Sequence, residues 1–293
     1  MNRSRLQVAK RDIVQHFDDL SQKILKLSEI KTILTDQRAY WRLAQRANSH
    51  EFIRFLTENA KLKRLDFPFP YRKEYRYTWG NVPLLEVLLT LKPGSYFTHY
   101  TAVRINGLTE QVPKTIYLNH EQRPHHPNGT LEQASIDRAF KRAQRTSQNV
   151  VKYGDLRICL INGMHTQQLG VTAETVEYDA SGPAKVRVTN IERTLIDITV
   201  RPVYAGGVAQ VLKAFELAKD RVSVNRLMAM LQKLSYVYPY HQAIGFYLER
   251  AGYKSSSIEL LRRAPMNFDF YLAHHMGPTT YVKQWRLYVP KGF

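Results

Sequence analysis

The chain has 293 residues, more than one compact core usually holds, so two or three domains are expected. A hydrophobic content of 44% with 11% aromatic residues excludes a disordered chain. Lys and Arg total 43 against 25 Asp and Glu, and the resulting net charge of +18 points to a polyanionic partner, nucleic acid before membrane.

The single cysteine, Cys159, excludes an intrachain disulfide and reads as a buried apolar residue. The first seventeen residues are basic but lack the apolar core of a signal peptide. The longest apolar stretch, residues 82–91, is broken by Pro83 and Glu86 and falls short of the ~20 residues of a membrane span. The expected location is the cytoplasm, in association with the nucleoid.

Residues 10–34 read as one or two amphipathic helices, because Ile13, Phe17, Leu20, Ile24 and Leu27 follow helical spacing. Ser28 would cap a second one. A helix is expected over 37–46, then a turn at Ala47-Asn48. A further helix over 50–59 follows, with Ser49 as N-cap and Phe52, Phe55 and Leu56 on its inner face. Residues 61–79 alternate basic and aromatic side chains around Pro68 and Pro70, the pattern of a β-hairpin. Gly80-Asn81 marks a boundary, dividing a domain over 1–80 from one over 81–293. A split of the latter into two lobes near 165 is left open.

Further on, Pro83 would open a helix ending near Leu91. Then come a strand at 96–97, a helix at 99–105, a strand at 115–118, a polar loop to 129 and a helix over 131–144. Strands are expected at 155–161 and 184–189. Thr189-x-x-Glu192 has the spacing of a capping box, opening a helix through Asp197. Helices over 207–218, 224–234 (capped by Ser223) and 242–251 (stopped by Gly252) follow. Two closing strands are expected at 267–273 and 281–289. The mixture predicts an α/β fold behind a helical N-terminal module.

Residues 43–56, LAQRANSHEFIRFL, have the layout of a helix-turn-helix, and the basic hairpin after it would be the wing. Ser49, His50, Glu51 and Arg54 would then face outward at the end of the second helix that enters the major groove. Arg54 is the candidate base reader, since Arg can donate two hydrogen bonds to guanine. Arg38, Arg42 and Arg46 recur every fourth residue and would form a phosphate-contacting stripe, although Arg42 has Asp36 as an alternative partner. Lys61, Lys63, Arg64, Arg72, Lys73 and Arg76 charge the hairpin. Its aromatics, Phe67, Phe69, Tyr71, Tyr75 and Tyr77, are expected to pack it. Residues 1–80 hold 17 basic and 9 acidic side chains, the densest excess in the chain.

Two further stretches carry a family likeness. One is PGSYFTHYTAVRINGLTEQVPKTIYL at 93–118; the other is VRVTNIERTLID at 186–197, followed by Arg201-Pro202 and Gly206-Gly207. With the N-terminal module they resemble the AbiEi-type antitoxins of type IV toxin–antitoxin systems, which are linked to phage resistance. The resemblance implies a transcriptional autorepressor with a winged helix-turn-helix that binds its own promoter. It also implies a C-terminal α/β domain that opposes a nucleotidyltransferase-like toxin without needing a stable complex. Glu192, Arg193 and Asp197 fall in the second motif. Read from the residues alone, Glu192 would cap its helix, and Arg193 and Asp197, four apart, could pair.

No enzyme is expected. Gly94-Ser95 is not followed by the Asp-x-Asp pair of the toxin partners, and no phosphate loop or dinucleotide-binding glycine pattern occurs. Two other readings stay open: a regulator of another defence operon without a toxin, and a metal-dependent nuclease using Asp155, Glu177 and Asp179. The latter lacks a Glu-x-Lys on the strand after Asp155. The pairs His125-His126 and His274-His275 read as loop or surface residues rather than zinc ligands, and no metal or cofactor is expected.

Overall fold

The computed structural model describes residues 4–124, 130–179 and 182–293. His125 and His126 lie outside the described residues. The chain forms two compact units. One is Met1–Pro93 with Glu177–Lys185, and the other is Gly94–Val176 with Val186–Phe293.

The first unit begins with α1 (Arg5–Val8), α2 (Lys10–Asp19), β1 (Ile24–Leu25) and α3 (Leu27–Gln37). It continues with α4 (Ser49–Asn59), β2 (Leu62–Pro68), β3 (Lys73–Trp79) and α5 (Leu84–Leu89). The strands form an antiparallel sheet in the order β1-β3-β2. The hairpin pairs Leu62 with Trp79 at its base and Pro68 with Lys73 at its tip. The apolar spacing that suggested helix from residue 10 to 34 crosses three elements. Lys23 Nζ donates to the carbonyls of Phe17 and Asp18, a cation on the free end of α2, and Ile24 is already strand.

The helix expected over 37–46 does not form. Trp41 and Leu43 are both buried, and residues two apart cannot share one face of a helix. The chain instead turns through Arg42 in the left-handed region (φ 51°), so that Trp41 stacks on Phe52 of α4 at 5.7 Å. Helix α4 is capped by Asn48, whose side chain accepts from the Glu51 N–H at 2.8 Å, and not by Ser49. Phe17 stacks on Trp79 at 4.8 Å and ties α2 to the hairpin.

The second unit contains β4 (Tyr96–Phe97), α6 (His99–Ile105), β5 (Thr115–Glu121), α7 (Gln133–Phe140), β6 (Val150–Tyr153) and β7 (Leu156–Gly163). Next come β8 (Val171–Glu177) and β9 (Pro183–Thr189), whose ends reach into 177–185, then α8 (Ile191–Val200), α9 (Val208–Ala218), α10 (Val224–Leu234), α11 (Tyr240–Arg250) and α12 (Ser255–Arg262). The chain closes with β10 (Phe270–Tyr271), β11 (Thr279–Val282) and β12 (Leu287–Pro290). Six strands make a mixed sheet in the order β6-β7-β5-β4-β9-β8, with β4 antiparallel to β5 and parallel to β9. The expected mixed α/β class is what the chain adopts. Helix α8 is buried from Glu192 to Thr199 and packs against α6, α9, α10 and α11. No described helix is long and apolar enough to cross a membrane.

The tail strand expected over 281–289 is two strands. A turn at Lys283–Trp285 separates them and sends Trp285 into the core. Its ring lies over Gly245 of α11, where a Cβ would sit 2.2 Å from the indole. Helix propensity favours Ala over Gly by about 1 kcal/mol. Overpacking of this kind costs up to about 3 kcal/mol. Gly245→Ala should therefore lower stability by about 2 kcal/mol net. An unchanged or raised urea midpoint would contradict this contact.

Candidate nucleic-acid interface

Helix α4 turns Phe52, Phe55 and Leu56 inward and leaves His50, Glu51 and Arg54 exposed. Ser49 is half-buried at its start. The Asn48 cap fixes where the helix begins, and therefore which side chains occupy its first turn. Among the described residues Arg54 makes no hydrogen bond or ion pair, so its guanidinium is available to a partner.

The three arginines before α4 do not form a stripe, because they lie on a loop. Arg38 is half-buried, and its Nη1 donates to the carbonyls of Ala44 (2.8 Å), Gln45 (3.0 Å) and Ala47 (3.0 Å). That nitrogen braces the loop from inside. Arg42 and Arg46 are exposed, and neither guanidinium has a partner among the described residues.

The hairpin cations divide the same way. Lys61 pairs with Asp18 at 2.8 Å, and this bond, with a second from the Trp79 indole, holds the Asp18 carboxyl below its ordinary range. Lys63 donates to Asn81 at 2.6 Å. Arg64 pairs with Asp66 at 2.8 Å, which raises its own pKa, and lies over the Tyr75 ring at 4.8 Å. Arg72 reaches Glu74 at 3.4 Å. Arg76 is buried and bonded to Thr90, Glu74 and the Tyr75 carbonyl, which removes it from any outer face. Lys73 is exposed and unpartnered among the described residues. Of the expected packing aromatics, Phe67, Phe69 and Tyr77 are buried and Tyr75 half-buried, but Tyr71 at the tip is 75% exposed.

In the second unit, Glu192, Arg193 and Asp197 are 3, 4 and 6% exposed. Asn190, not Thr189, caps α8, accepting from the Arg193 N–H at 2.9 Å. The Thr189 hydroxyl is instead buried against that of Thr194. Glu192 reaches the start of α10, where it accepts from the Ser223 N–H at 3.0 Å and from Arg226 at 2.8 Å. It therefore serves another helix and not its own.

Arg193 and Asp197 do pair, at 2.7 Å. Arg193 also donates to the Leu169 carbonyl at 2.7 Å and to Thr166 at 3.2 Å, and Asp197 accepts from Thr98 at 2.9 Å. Burial disfavours the Arg193 charge, but Asp197, with Tyr236 and Tyr96, more than offsets it and keeps the arginine pKa above its ordinary value. Thr166 passes the network to Glu121, which also accepts from Tyr96 and the Gln168 N–H. Burial opposes ionisation of Glu121, yet these hydrogen bonds leave its pKa below the usual value.

His99 stands beside this network in the left-handed region (φ 50°), edge-on to the Tyr204 ring at 5.1 Å. Its buried Nδ1 has no hydrogen-bond partner among the described residues, and burial lowers its pKa to about 4. Burial likewise pushes the Cys159 thiol up to about 11, which keeps it unreactive. His274 is half-buried and stacked on Phe140 at 4.0 Å, whereas His275 is exposed. No group of three or more His, Cys, Asp or Glu that could hold a metal ion occurs among the described residues.

Sequence reasoning missed Asn48, which is one residue from the expected cap, and the exposure of Tyr71. It also missed three lysines outside the helix-turn-helix segment, Lys26, Lys31 and Lys92, which the fold brings towards the hairpin. Their separation in sequence leaves no local pattern. No protein-family model matches the chain, and no curated protein matches it.

Proposed function

We propose that the chain is a DNA-binding transcriptional autorepressor and antitoxin, with its first unit a winged helix-turn-helix and α4 the helix that enters the major groove. The observation that carries this is the order helix, strand, helix, helix, hairpin in one three-stranded unit. In that arrangement the second helix of the pair presents its N-terminal half outward, and Arg54 lies there with no partner among the described residues. The net charge of +18 supplies the general attraction to a duplex. The antitoxin half of the reading rests on the likeness of residues 93–118 and 186–197 to AbiEi-type proteins. The opposed protein would be a nucleotidyltransferase-like toxin encoded beside it.

Arg42, Arg46 and Lys73 are assigned to phosphates, and Arg54 to a base edge. The test is a titration of the full chain with its own upstream promoter duplex and with a scrambled duplex, across a salt series. The promoter is expected to bind more tightly by about 10³-fold or more. Arg54→Ala should cost about 1–3 kcal/mol on the promoter and relax sequence preference. The pair Arg42→Ala/Arg46→Ala should weaken both duplexes alike and reduce the salt slope by about 2. Equal affinity for the two duplexes would remove the autorepressor reading. For the antitoxin half, co-expression with the neighbouring gene product should restore growth to cells that it arrests.

A further inference from the structure

The first unit contains a cavity of about 540 Å³, of whose lining the DNA reading uses Lys73 alone. It arises because β1 is only two residues long. That strand pairs with Tyr77 and Thr78 and then turns at Lys26 into α3, leaving β3 without a strand neighbour on that side from Lys73 to Arg76. The gap between the start of α3, this stretch of β3 and the segment after α5 is the cavity.

Its lining is strongly cationic. Lys26 and Lys31 come from the α3 side, Lys73 and Arg76 from β3 with Arg72 just before it, and Lys92 from beyond α5. Glu74 is the one carboxylate among the described lining residues, and it already faces Arg72, Arg76 and Lys92 at 3.4 Å each. Arg76 is further fixed by the Thr90 hydroxyl at 3.0 Å and the Thr90 carbonyl at 2.6 Å. Lys26, Lys31 and Lys73 are exposed, and their ammonium groups have no partner among the described residues. Like charges converging on one concavity repel one another, and they concentrate counter-anions there. Leu27, Tyr75, Leu91 and Pro93 add an apolar wall beside the cations. The size lies within the ~300–1,000 Å³ of small-molecule sites.

We propose that this cavity binds the polyphosphate of a small-molecule anion, with a nucleoside triphosphate as the chemical class. Several cations from three segments match several linked phosphoryl groups, and the apolar wall suits an attached base. The proposal does not depend on the DNA reading.

The test is calorimetric titration of the full chain with inorganic tripolyphosphate and with ATP, at about 0.15 M salt to screen diffuse attraction. Saturable one-site binding is expected for both, with ATP at least as tight. Lys26→Gln/Lys31→Gln should weaken both by about tenfold or more, since each lost charge acts within a concave site. Lys233→Gln/Lys254→Gln, the same charge loss at exposed positions of the second unit, should leave affinity unchanged. Thermal melts of both variants should match the parent, because all four lysines are exposed.

Absence of saturable binding, or an equal loss in the control variant, overturns the proposal. The promoter duplex is titrated into the same proteins. Retained promoter affinity in the Lys26/Lys31 variant supports a separate small-molecule site. Loss of promoter affinity by the same factor, with ATP competing against the duplex, makes the cavity a seat for a DNA phosphate and overturns it. A parent protein that binds tripolyphosphate but does not prefer its promoter would sink the autorepressor reading and leave the cavity site standing.

Discussion

Asp197→Ala is expected to destabilise the second unit by about 3–5 kcal/mol, because it leaves the Arg193 guanidinium buried without its counter-charge. Arg193 and Asp197 are almost wholly enclosed, so solvent does little to screen the loss. The Thr98 hydroxyl, which donates to Asp197, is orphaned in the same step. Asp197→Asn should lose less, because the amide oxygen can still accept from Thr98 or Arg193. A double variant, Arg193→Leu/Asp197→Leu, should be more stable than Asp197→Ala, since it removes both charges. Urea unfolding reads all three, and a loss below about 1 kcal/mol for Asp197→Ala would overturn this account.

The protein should also lose about 3 kcal/mol of stability between pH 6.5 and 4, through His99 alone. Its folded pKa is lowered to about 4 by burial; Arg201 and Arg193 push in the same direction and Asp197 opposes them. A depressed histidine pKa means that the unfolded chain takes up a proton below pH 6.5 while the folded chain does not. Stability is therefore intact above 6.5 and falls with pH until about 4, below which both states are protonated. Glu121 adds a separate loss at lower pH, as its depressed pKa is reached. His99→Asn is the informative variant, because Asn tolerates the left-handed backbone and does not titrate. Its unfolding free energy should fall less steeply than the parent's from pH 6.5 to 5, the remaining slope coming from His241 and His274, whose pKa values burial also lowers. The same slope in the variant as in the parent would show that other groups carry the pH dependence.

Where local pattern decides structure, sequence and structure agree. The helices α6 and α10 have the limits that spacing and capping suggested, and the hairpin of β2 and β3 lies where basic and aromatic residues alternate. The segment between α3 and α4 misled because Arg38, Arg42 and Arg46 have helical spacing, whereas burial of Trp41 and Leu43 required a turn. The candidate interface was legible in composition more than in detail. Whether a cation is free depends on partners distant in sequence: Asp18 for Lys61 and Thr90 for Arg76. Periodicity contains no record of such pairings. The burial of Glu192, Arg193 and Asp197 was equally hidden, because α8 is covered on nearly every side although its sequence carries charged residues that normally mark a solvated face.

The first unit is not contiguous. Residues 177–185 belong to it, and the Lys185 N–H donates to Glu86 at 2.7 Å. During synthesis, a ribosome that has finished residue 93 has not yet made this last piece. At about 5–20 residues per second, the nascent N-terminal unit must wait several seconds, as an incomplete body, before its closing segment emerges. A slow translation pause before residue 185 would lengthen that exposed interval, and a truncated message would never end it.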